Sequence, residues 1–231
     1  MDSLISRLNS TRETAQQIES GMAAVYTKSQ LLVMQMPKTG CIWRIHALLR
    51  AGLGRPRRLQ LPRGHDVRHA VLAQIPEEYR DYFTIGCVRR PDAWLKSYWM
   101  MRVARRNWHD TWPTWMPDVF LDRDCQSDSF VDFVNRYLDT YPGLISRLAF
   151  DYVGNGESEI DFVCRQEYLA EELCLGLRAA GIPFDEKALH DVPRRNAARN
   201  RTRRQAHLPD HLLEKINAAE RPLIERFYPG Q

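Results

Sequence analysis

The segment Leu31–Ile42, which reads LLVMQMPKTGCI, is the most informative stretch of the chain. Its first half, Leu31–Met36, is nearly all apolar, which is typical of a strand buried in a parallel sheet with helices on both faces. A proline ends this run, and a lysine, a hydroxyl residue and a glycine follow before an apolar helical pattern begins at Trp43. A strand, a tight loop and a helix in this order expose backbone N–H groups at the helix N-terminus beside a cation. The segment therefore predicts a phosphate or sulfate site.

The loop differs from the nucleotide loop of ATP-binding and GTP-binding proteins. In those proteins a glycine is followed, after four residues, by Gly-Lys-Ser or Gly-Lys-Thr. That pattern occurs neither here nor elsewhere in the chain. The sequence therefore favours an anionic ligand other than ATP.

Length and composition predict a single domain over residues 1–231. The chain is 44% hydrophobic and 27% charged, with a formal net charge of +4; this size suits one well-buried core. Its five cysteines are odd in number and form no Cys-x-x-Cys pair, so we expect reduced, mostly buried thiols. The N-terminus carries charges throughout, and no apolar stretch reaches the length of a membrane span. We therefore expect a cytoplasmic protein without a membrane partner.

Strands and helices alternate along the chain. An amphipathic leading helix is expected within residues 1–28, and further strands at Tyr82–Val88 and Ile160–Cys164. Residues 55–64 and 106–128 are expected to be irregular. The remaining predicted helices cover residues 43–52, 65–72, 92–105, 129–149, 168–180 and 209–228. This order predicts an α/β domain with a parallel sheet.

A second anion site is predicted where the strand Tyr82–Val88 ends. Arg89 and Arg90 follow it directly, and Ser97 comes eight positions after Arg89 in a helical stretch. An arginine at a strand's end can bind a phosphate through two hydrogen bonds. A serine two turns into the next helix can reach the same anion.

These motifs together resemble the sulfotransferases, which transfer a sulfuryl group from 3′-phosphoadenosine 5′-phosphosulfate (PAPS) to a hydroxyl or amine. The resemblance rests on PKTG at 37–40 and on VRRP at 88–91 followed by Ser97. Residues 65–91 are similar to the matching stretch in the bacterial and carbohydrate branch of the family. The resemblance extends to IDFVCRQEYLAEEL and to the closing LIERFYP. It implies one domain with a P-loop-like central parallel sheet flanked by helices.

The resemblance also implies roles for individual residues. The first loop would cradle the 5′-phosphosulfate, with Lys38 stabilising the leaving group, while Arg89 and Ser97 would hold the 3′-phosphate. The implied donor-loop residues are Pro37, Lys38, Thr39, Gly40, Cys41, Ile42 and Trp43. PAPS would be the donor and 3′-phosphoadenosine 5′-phosphate (PAP) the product, with no metal required, because Lys and Arg neutralise the donor.

His65 is the candidate base, because a neutral imidazole can take a hydroxyl proton near neutral pH. The alternative is a surface histidine in a Gly-His-Asp turn. Trp108, Trp112 and Trp115, together with Met101, could build an apolar pocket for the acceptor, a small molecule or carbohydrate. Alternatively, the tryptophans pin their own loop to the domain.

A basic loop is expected at 190–207. Six arginines fall within eleven positions: Arg194, Arg195, Arg199, Arg201, Arg203 and Arg204. They could close over the donor, bind a polyanionic acceptor or nucleic acid, or form a solvated loop. No aromatic residue lies among them, so base stacking is not supported and a nucleic-acid partner is not favoured.

The chain departs from the resembled family at three positions. Cys41 and Ile42 stand where the family commonly has a small residue and then Thr or Ser, so one phosphate contact is lost or supplied elsewhere. An altered donor and impaired catalysis both stay open. Arg90 replaces the usual Asn and adds positive charge near the expected 3′-phosphate site.

The sequence also bears on a metal site and on two alternative functions. The pairs His65/His69 and His207/His211 have zinc-like spacing but lack a nearby cysteine or the glutamate of a zinc helix, so no metal is predicted. One alternative function is an ATP-using P-loop-type transferase or kinase. The other is a non-catalytic anion-binding or RNA-binding module that uses the arginine run.

Overall fold

The structure of the protein, a computed structural model, describes residues 23–59, 71–105, 121, 123–156, 159–193 and 206–230 and has α/β architecture. The strands are β1 (Ala24–Tyr26), β2 (Leu31–Val33), β3 (Arg57–Arg58), β4 (Phe83–Val88) and β5 (Phe162–Arg165). The helices in this part of the chain are α1 (Cys41–Arg50), α2 (Pro91–Arg105), α3 (Phe130–Thr140), α4 (Leu144–Val153), α5 (Leu169–Ala179), α6 (Glu186–His190), α7 (Asp210–Ala219) and α8 (Arg221–Phe227).

The five strands form one mixed sheet in the order β3-β1-β2-β4-β5. Strands β2, β4 and β5 run parallel, with Leu31 opposite Phe83 and Ile85 opposite Phe162. Strand β1 is antiparallel to both β2 and β3. The prediction of a parallel sheet is therefore correct for three strands and wrong for the pair at the β1–β3 side.

Helices cover both faces of the sheet. Along β2, Leu32 packs in the apolar cluster that includes α2, α3, α4, α7 and α8, whereas Leu31 and Val33 pack with α1, α5 and α6. All three side chains are fully buried. Such a strand has no polar face, which explains why its sequence is continuously apolar rather than alternating.

The predicted leading helix is wrong at its C-terminal end. Ala24–Tyr26 forms strand β1 and Thr27–Ser29 a short 3-10 helix, whereas residues 1–22 lie outside the described residues. Val25 packs on one side of the sheet, and Ala24 and Tyr26 pack on the other. Burial on both faces and pairing with β2 thus outweigh the helical spacing that the sequence shows. Strand β3 is also a correction, because residues 55–64 were expected to be irregular.

Two predicted helices are each split in two. The helix expected at 129–149 is α3 followed by α4, with a break at Pro142 and Gly143, where Gly143 adopts a φ of 76°. The helix expected at 209–228 is α7 followed by α8, and Glu220 lies at the break. Glu220 is fully buried. Helical spacing continues across such breaks, so periodicity alone does not reveal them.

Six further predicted elements are confirmed with small shifts, namely β2, β4, β5, α1, α2 and α5. The stretch 106–128, expected to be irregular, is helical at residues 121, 123 and 124, and most of it lies outside the described residues. Most of the helix expected at 65–72 also lies outside them, and Leu72–Gln74 forms a 3-10 helix. All five cysteines are free thiols, four of them buried and Cys41 half-buried, as predicted. Every helix in the described part of the chain is too short or too polar to cross a lipid bilayer.

Candidate functional site

The two predicted anion motifs lie next to each other, because β2 and β4 are parallel neighbours in the sheet. Strand β2 leads into residues 34–40, which we call the anion loop, and then into α1. Strand β4 leads through Arg89 and Arg90 into α2. Both motifs follow the carboxyl ends of their strands, which is where open α/β sheets bind ligands.

The anion loop is a tight turn closed by its own side chains. Lys38 has a φ of 67° and Gly40 a φ of 83°. The Thr39 hydroxyl donates to the Met36 carbonyl oxygen at 2.7 Å, and the Cys41 thiol donates to the same oxygen at 2.9 Å. The Thr39 side chain is fully buried. The hydroxyl expected beside the anion is therefore used to close the loop.

Two side chains from the second motif fix the backbone of the anion loop. The Trp94 indole donates to the Pro37 carbonyl oxygen at 2.9 Å, and Arg89 Nη1 donates to the Lys38 carbonyl oxygen at 3.0 Å. No described peptide bond is cis. In a trans peptide the N–H points away from the C=O. Holding these two carbonyls therefore also orients the N–H groups of Lys38 and Thr39.

Helix α1 begins without a capping side chain. Its N-cap is Gly40, and its first intrahelical bond runs from Arg44 N to Gly40 O at 3.0 Å. The N–H groups of Cys41, Ile42 and Trp43 precede that bond and have no acceptor within the helix. They add to the positive end of the helix dipole. The start of α1 thus offers several N–H donors to an anion.

Two cations from the first motif flank the anion loop. The Lys38 ammonium donates to Met101 Sδ at 3.2 Å. Arg44 is fully buried and donates from Nη2 to Thr39 Oγ1 at 3.4 Å and to Cys41 Sγ at 3.7 Å. Its Nε and Nη1 atoms have no hydrogen-bond partner among the described residues. Arg44 therefore places a permanent positive charge beneath the loop.

The thiols around Arg44 do not neutralise it. Burial raises the pKa of Cys87 to about 12, although Arg44 opposes the shift. Burial likewise raises the pKa of Cys164 well above its ordinary value. Both groups are neutral thiols at physiological pH. A buried guanidinium with no carboxylate partner among the described residues is costly, so the region favours an incoming anion.

The second motif is held by acids. Burial lowers the pKa of Arg89, and the nearby Glu167 carboxylate opposes that shift. Arg90 Nε lies 3.1 Å from Asp92 Oδ1, so the extra charge expected from Arg90 is paired. Glu167 accepts from Arg90 N at 3.1 Å and from the Tyr228 hydroxyl at 2.9 Å.

The bond from Arg90 N to Glu167 fixes the segment that follows β4. Arg165 pairs with a different acid, because its Nε donates to Glu172 Oε1 at 2.7 Å.

Ser97 lies on the face of α2 that meets the anion loop. It follows Trp94 by three positions and precedes Met101 by four, and both of these residues contact the loop. Residues at these spacings share a helix face. Ser97 is half-buried. The helix thus places its hydroxyl on the same side as Lys38 and Arg89.

Several predicted site residues lie outside the described residues, so their roles stay predictions. They are His65, Trp108, Trp112, Trp115, Arg194, Arg195 and Arg199. Trp43 is half-buried, and its indole donates to the Val192 carbonyl oxygen at 3.1 Å. The start of α1 is thereby joined to the segment that directly precedes the arginine run.

Sequence reasoning missed two residues of the site. Arg44 was passed over, although a charged residue between Trp43 and Ile45 at the start of an apolar helix is a usable signal. Trp94 is likewise absent from the predicted site residues. Its buried indole N–H requires an acceptor, and that requirement is predictable, but the identity of the acceptor depends on the fold.

Comparisons with protein-family models, with curated proteins and with solved structures find no match for this chain. Function is therefore argued from the geometry of the site.

Proposed function

We propose that the protein is a PAPS-dependent sulfotransferase acting on a hydroxyl or amine of a small molecule or carbohydrate, within a P-loop-like fold. The observation that carries this proposal is the 3.0 Å hydrogen bond from Arg89 Nη1 to the Lys38 carbonyl oxygen. It joins the two cationic motifs at one edge of the sheet. A ligand with anionic groups at both the 5′ and 3′ positions of one ribose matches such a paired site.

The first motif supports binding of the 5′-phosphosulfate. The uncapped start of α1 supplies N–H donors, and the anion loop is held by Trp94 and Arg89. Arg44 adds a buried charge beneath the loop. Donors that are fixed before the ligand arrives stabilise developing charge without reorganising.

In the proposed reaction, an acceptor oxygen forms a bond to sulfur while the bond from sulfur to the bridging phosphate oxygen breaks. The leaving group carries growing negative charge, which Lys38 stabilises as it exchanges its contact with Met101 for the bridging oxygen. His65 takes the proton of the acceptor hydroxyl. Alignment and charge stabilisation supply most of the catalysis in group transfers of this type.

The second motif supports recognition of the 3′-phosphate. Arg89 directs Nη1 to the loop, and its guanidinium has further donors. Ser97 lies on the α2 face toward the loop. Arg194, Arg195 and Arg199 are proposed to close over the same end of the donor.

The acceptor is proposed to approach on the Met101 side of Lys38. Met101 Sδ contacts the ammonium that would face the transferred group. Residues 106–120 directly follow α2 and carry Trp108, Trp112 and Trp115. An apolar acceptor pocket there would lie close to the reacting atoms.

Calorimetric titration with PAP, 5′-AMP and ATP tests the donor assignment. We expect PAP to bind tightest and 5′-AMP to bind more than tenfold weaker, because each charge-assisted contact contributes roughly 1.5–3 kcal/mol. Ser97→Ala should weaken PAP binding but leave 5′-AMP binding unchanged. Preferential binding of ATP with Mg²⁺ would instead identify a kinase-like protein and remove the proposal.

A screen of hydroxyl and amine acceptors with sulfur-labelled PAPS tests the activity itself. Labelled product should form with the wild type and require Lys38. RNA binding with steep salt dependence that Lys38→Ala leaves unaffected, together with no transfer to any acceptor, would favour the non-catalytic module.

A further inference from the structure

Three metal-ligating side chains converge where α5 meets α6, away from the anion loop. Cys174 lies on α5, and Glu186 and His190 lie one turn apart on α6. Cys174 Sγ is 3.7 Å from His190 Nε2, and that nitrogen is 3.8 Å from Glu186 Oε1. All three ligand atoms lie within 4.8 Å of one another.

These separations are close to those of a tetrahedral zinc site. Zinc bonds of about 2.3 Å to sulfur and about 2.0–2.1 Å to nitrogen and oxygen place the ligand atoms of a tetrahedron roughly 3.3–3.6 Å apart. The measured sulfur–nitrogen and nitrogen–oxygen distances exceed this range by only a few tenths of an ångström. Small side-chain rotations would complete the geometry.

We propose that Cys174, Glu186 and His190 form a zinc site with three protein ligands and a fourth position open to water. A thiolate, an imidazole and a carboxylate are all zinc ligands. Cys174 is buried, whereas the side chains of His190 and Glu186 are 40% and 46% exposed, so the site opens to solvent on one side. This proposal does not depend on the proposed transferase activity.

A second layer of contacts supports the carboxylate ligand. Arg178 on α5 pairs with Glu186 Oε2, which leaves Oε1 on the His190 side. Partners of this kind orient metal ligands and are commonly as important as the ligands themselves.

The site would join α6 to α5, and the segment around α6 also contacts α1. Helix α6 packs against α1, and Val192, two residues beyond α6, accepts the Trp43 indole N–H. The arginine run begins at Arg194. A bound metal would thus stabilise the corner from which the basic segment starts.

The sequence does not reveal this site, because zinc-like histidine spacing occurs only at His65/His69 and His207/His211. The His190 ligand pairs instead with a glutamate one turn earlier, and the cysteine comes from a different helix. Their proximity depends on how α6 packs on α5.

Titration of chelator-treated full-length protein with Zn²⁺ and Co²⁺ tests the proposal. We expect one metal per chain, a thiolate-to-cobalt charge-transfer absorption and a zinc-dependent rise in the melting temperature. His190→Gln and Cys174→Ala should each weaken zinc binding on the order of a hundredfold or more. His211→Gln, an exposed histidine on α7, and Cys125→Ala, a buried cysteine, are the matched controls and should bind as the wild type does.

His190→Gln changes an exposed side chain and should fold normally, which circular dichroism can verify. Equal zinc affinity in this variant and the wild type would overturn the proposal, as would cobalt binding without the sulfur absorption. Failure of the wild type to bind zinc at micromolar metal would leave only a Cys174–His190 hydrogen bond, and would also overturn it.

Discussion

Helices α1 and α4 begin with the same local geometry, but the charged groups beside their N-termini have opposite sign. Each follows a glycine in the left-handed region, Gly40 with φ 83° and Gly143 with φ 76°, and neither has a capping side chain at that position. The start of α4 is filled by Glu220, whose carboxylate accepts from Ile145 N at 3.3 Å and from Ser146 N at 2.7 Å.

The start of α1 has no such carboxylate cap in the described part of the chain. It is approached instead by cations, namely Lys38, Arg44 and Arg89. The same electrostatic requirement is therefore met internally at α4, whereas the described residues supply no carboxylate at α1. This difference supports the proposal that α1 binds an anion of the donor.

The largest effect is expected from removing the internal anion. Glu220 is fully buried and also accepts from Tyr137 and Ser146 hydroxyls. Glu220→Ala should lower the free energy of unfolding by about 4 kcal/mol, because several buried donors lose their acceptor. Urea denaturation measures this, with the exposed Glu225→Ala on α8 as control. A loss below about 1 kcal/mol would mean that the carboxylate does not hold the start of α4.

Removing the cation beside α1 should affect activity rather than stability. Lys38→Ala should slow sulfuryl transfer roughly a hundredfold, equivalent to about 2.7 kcal/mol of transition-state stabilisation, with little change in melting temperature. Transfer assays with labelled PAPS measure it. Lys28→Ala, an exposed lysine outside the anion loop, is the control. Equal rates in the two variants would contradict the role of Lys38.

The two glycines offer a matched pair. A Cβ at Gly40 would lie 2.8 Å from Leu169 Cδ2, whereas one at Gly143 would lie 3.5 Å from the Ala219 carbonyl oxygen, an ordinary contact. Both positive φ angles disfavour alanine, at about 1 kcal/mol each. We expect Gly143→Ala to destabilise the protein by about that amount and Gly40→Ala by about 2 kcal/mol. Only Gly40→Ala should weaken PAP binding. Equal PAP affinities in the Gly40→Ala and Gly143→Ala variants would contradict the distinction between the two helix starts.

The smallest expected effect is a gain. Ile42 is half-buried in the first turn of α1 and offers no hydroxyl. Ile42→Thr should tighten PAP binding a few-fold, corresponding to roughly 1 kcal/mol for one added hydrogen bond. Ile42→Val, which keeps the branched shape without the hydroxyl, should leave binding unchanged. If threonine and valine bind PAP equally, no phosphate contact is missing at this position.

Sequence predicted the parts of the site that are local in the chain. Strand β2, the anion loop and the start of α1 are contiguous. One stretch of sequence therefore contains their apolar run, the proline and the glycine. The antiparallel placement of β1 was not predictable in this way. It depends on pairing with β2 and β3. The apolar residues of β1 also fit a helical spacing, so the sequence alone favours the wrong element.

Contacts between distant segments were likewise beyond sequence reasoning. The sequence indicated that Arg89 and Trp94 follow β4, but their hydrogen bonds to the anion loop require β2 and β4 to be neighbours. The cap from Glu220 to α4 joins residues more than seventy positions apart. Each of these contacts depends on tertiary packing, which periodicity does not record.

Amide chemical shifts during a PAP titration would show whether the start of α1 binds the donor. In nitrogen-15 spectra of the full chain, we predict that saturating PAP moves the amide signals of Gly40, Cys41 and Ile42. The amides of Ile145 and Ser146, whose acceptor is already Glu220, should not move. Unchanged signals at the start of α1, with PAP bound elsewhere or not at all, would show that α1 does not bind the donor.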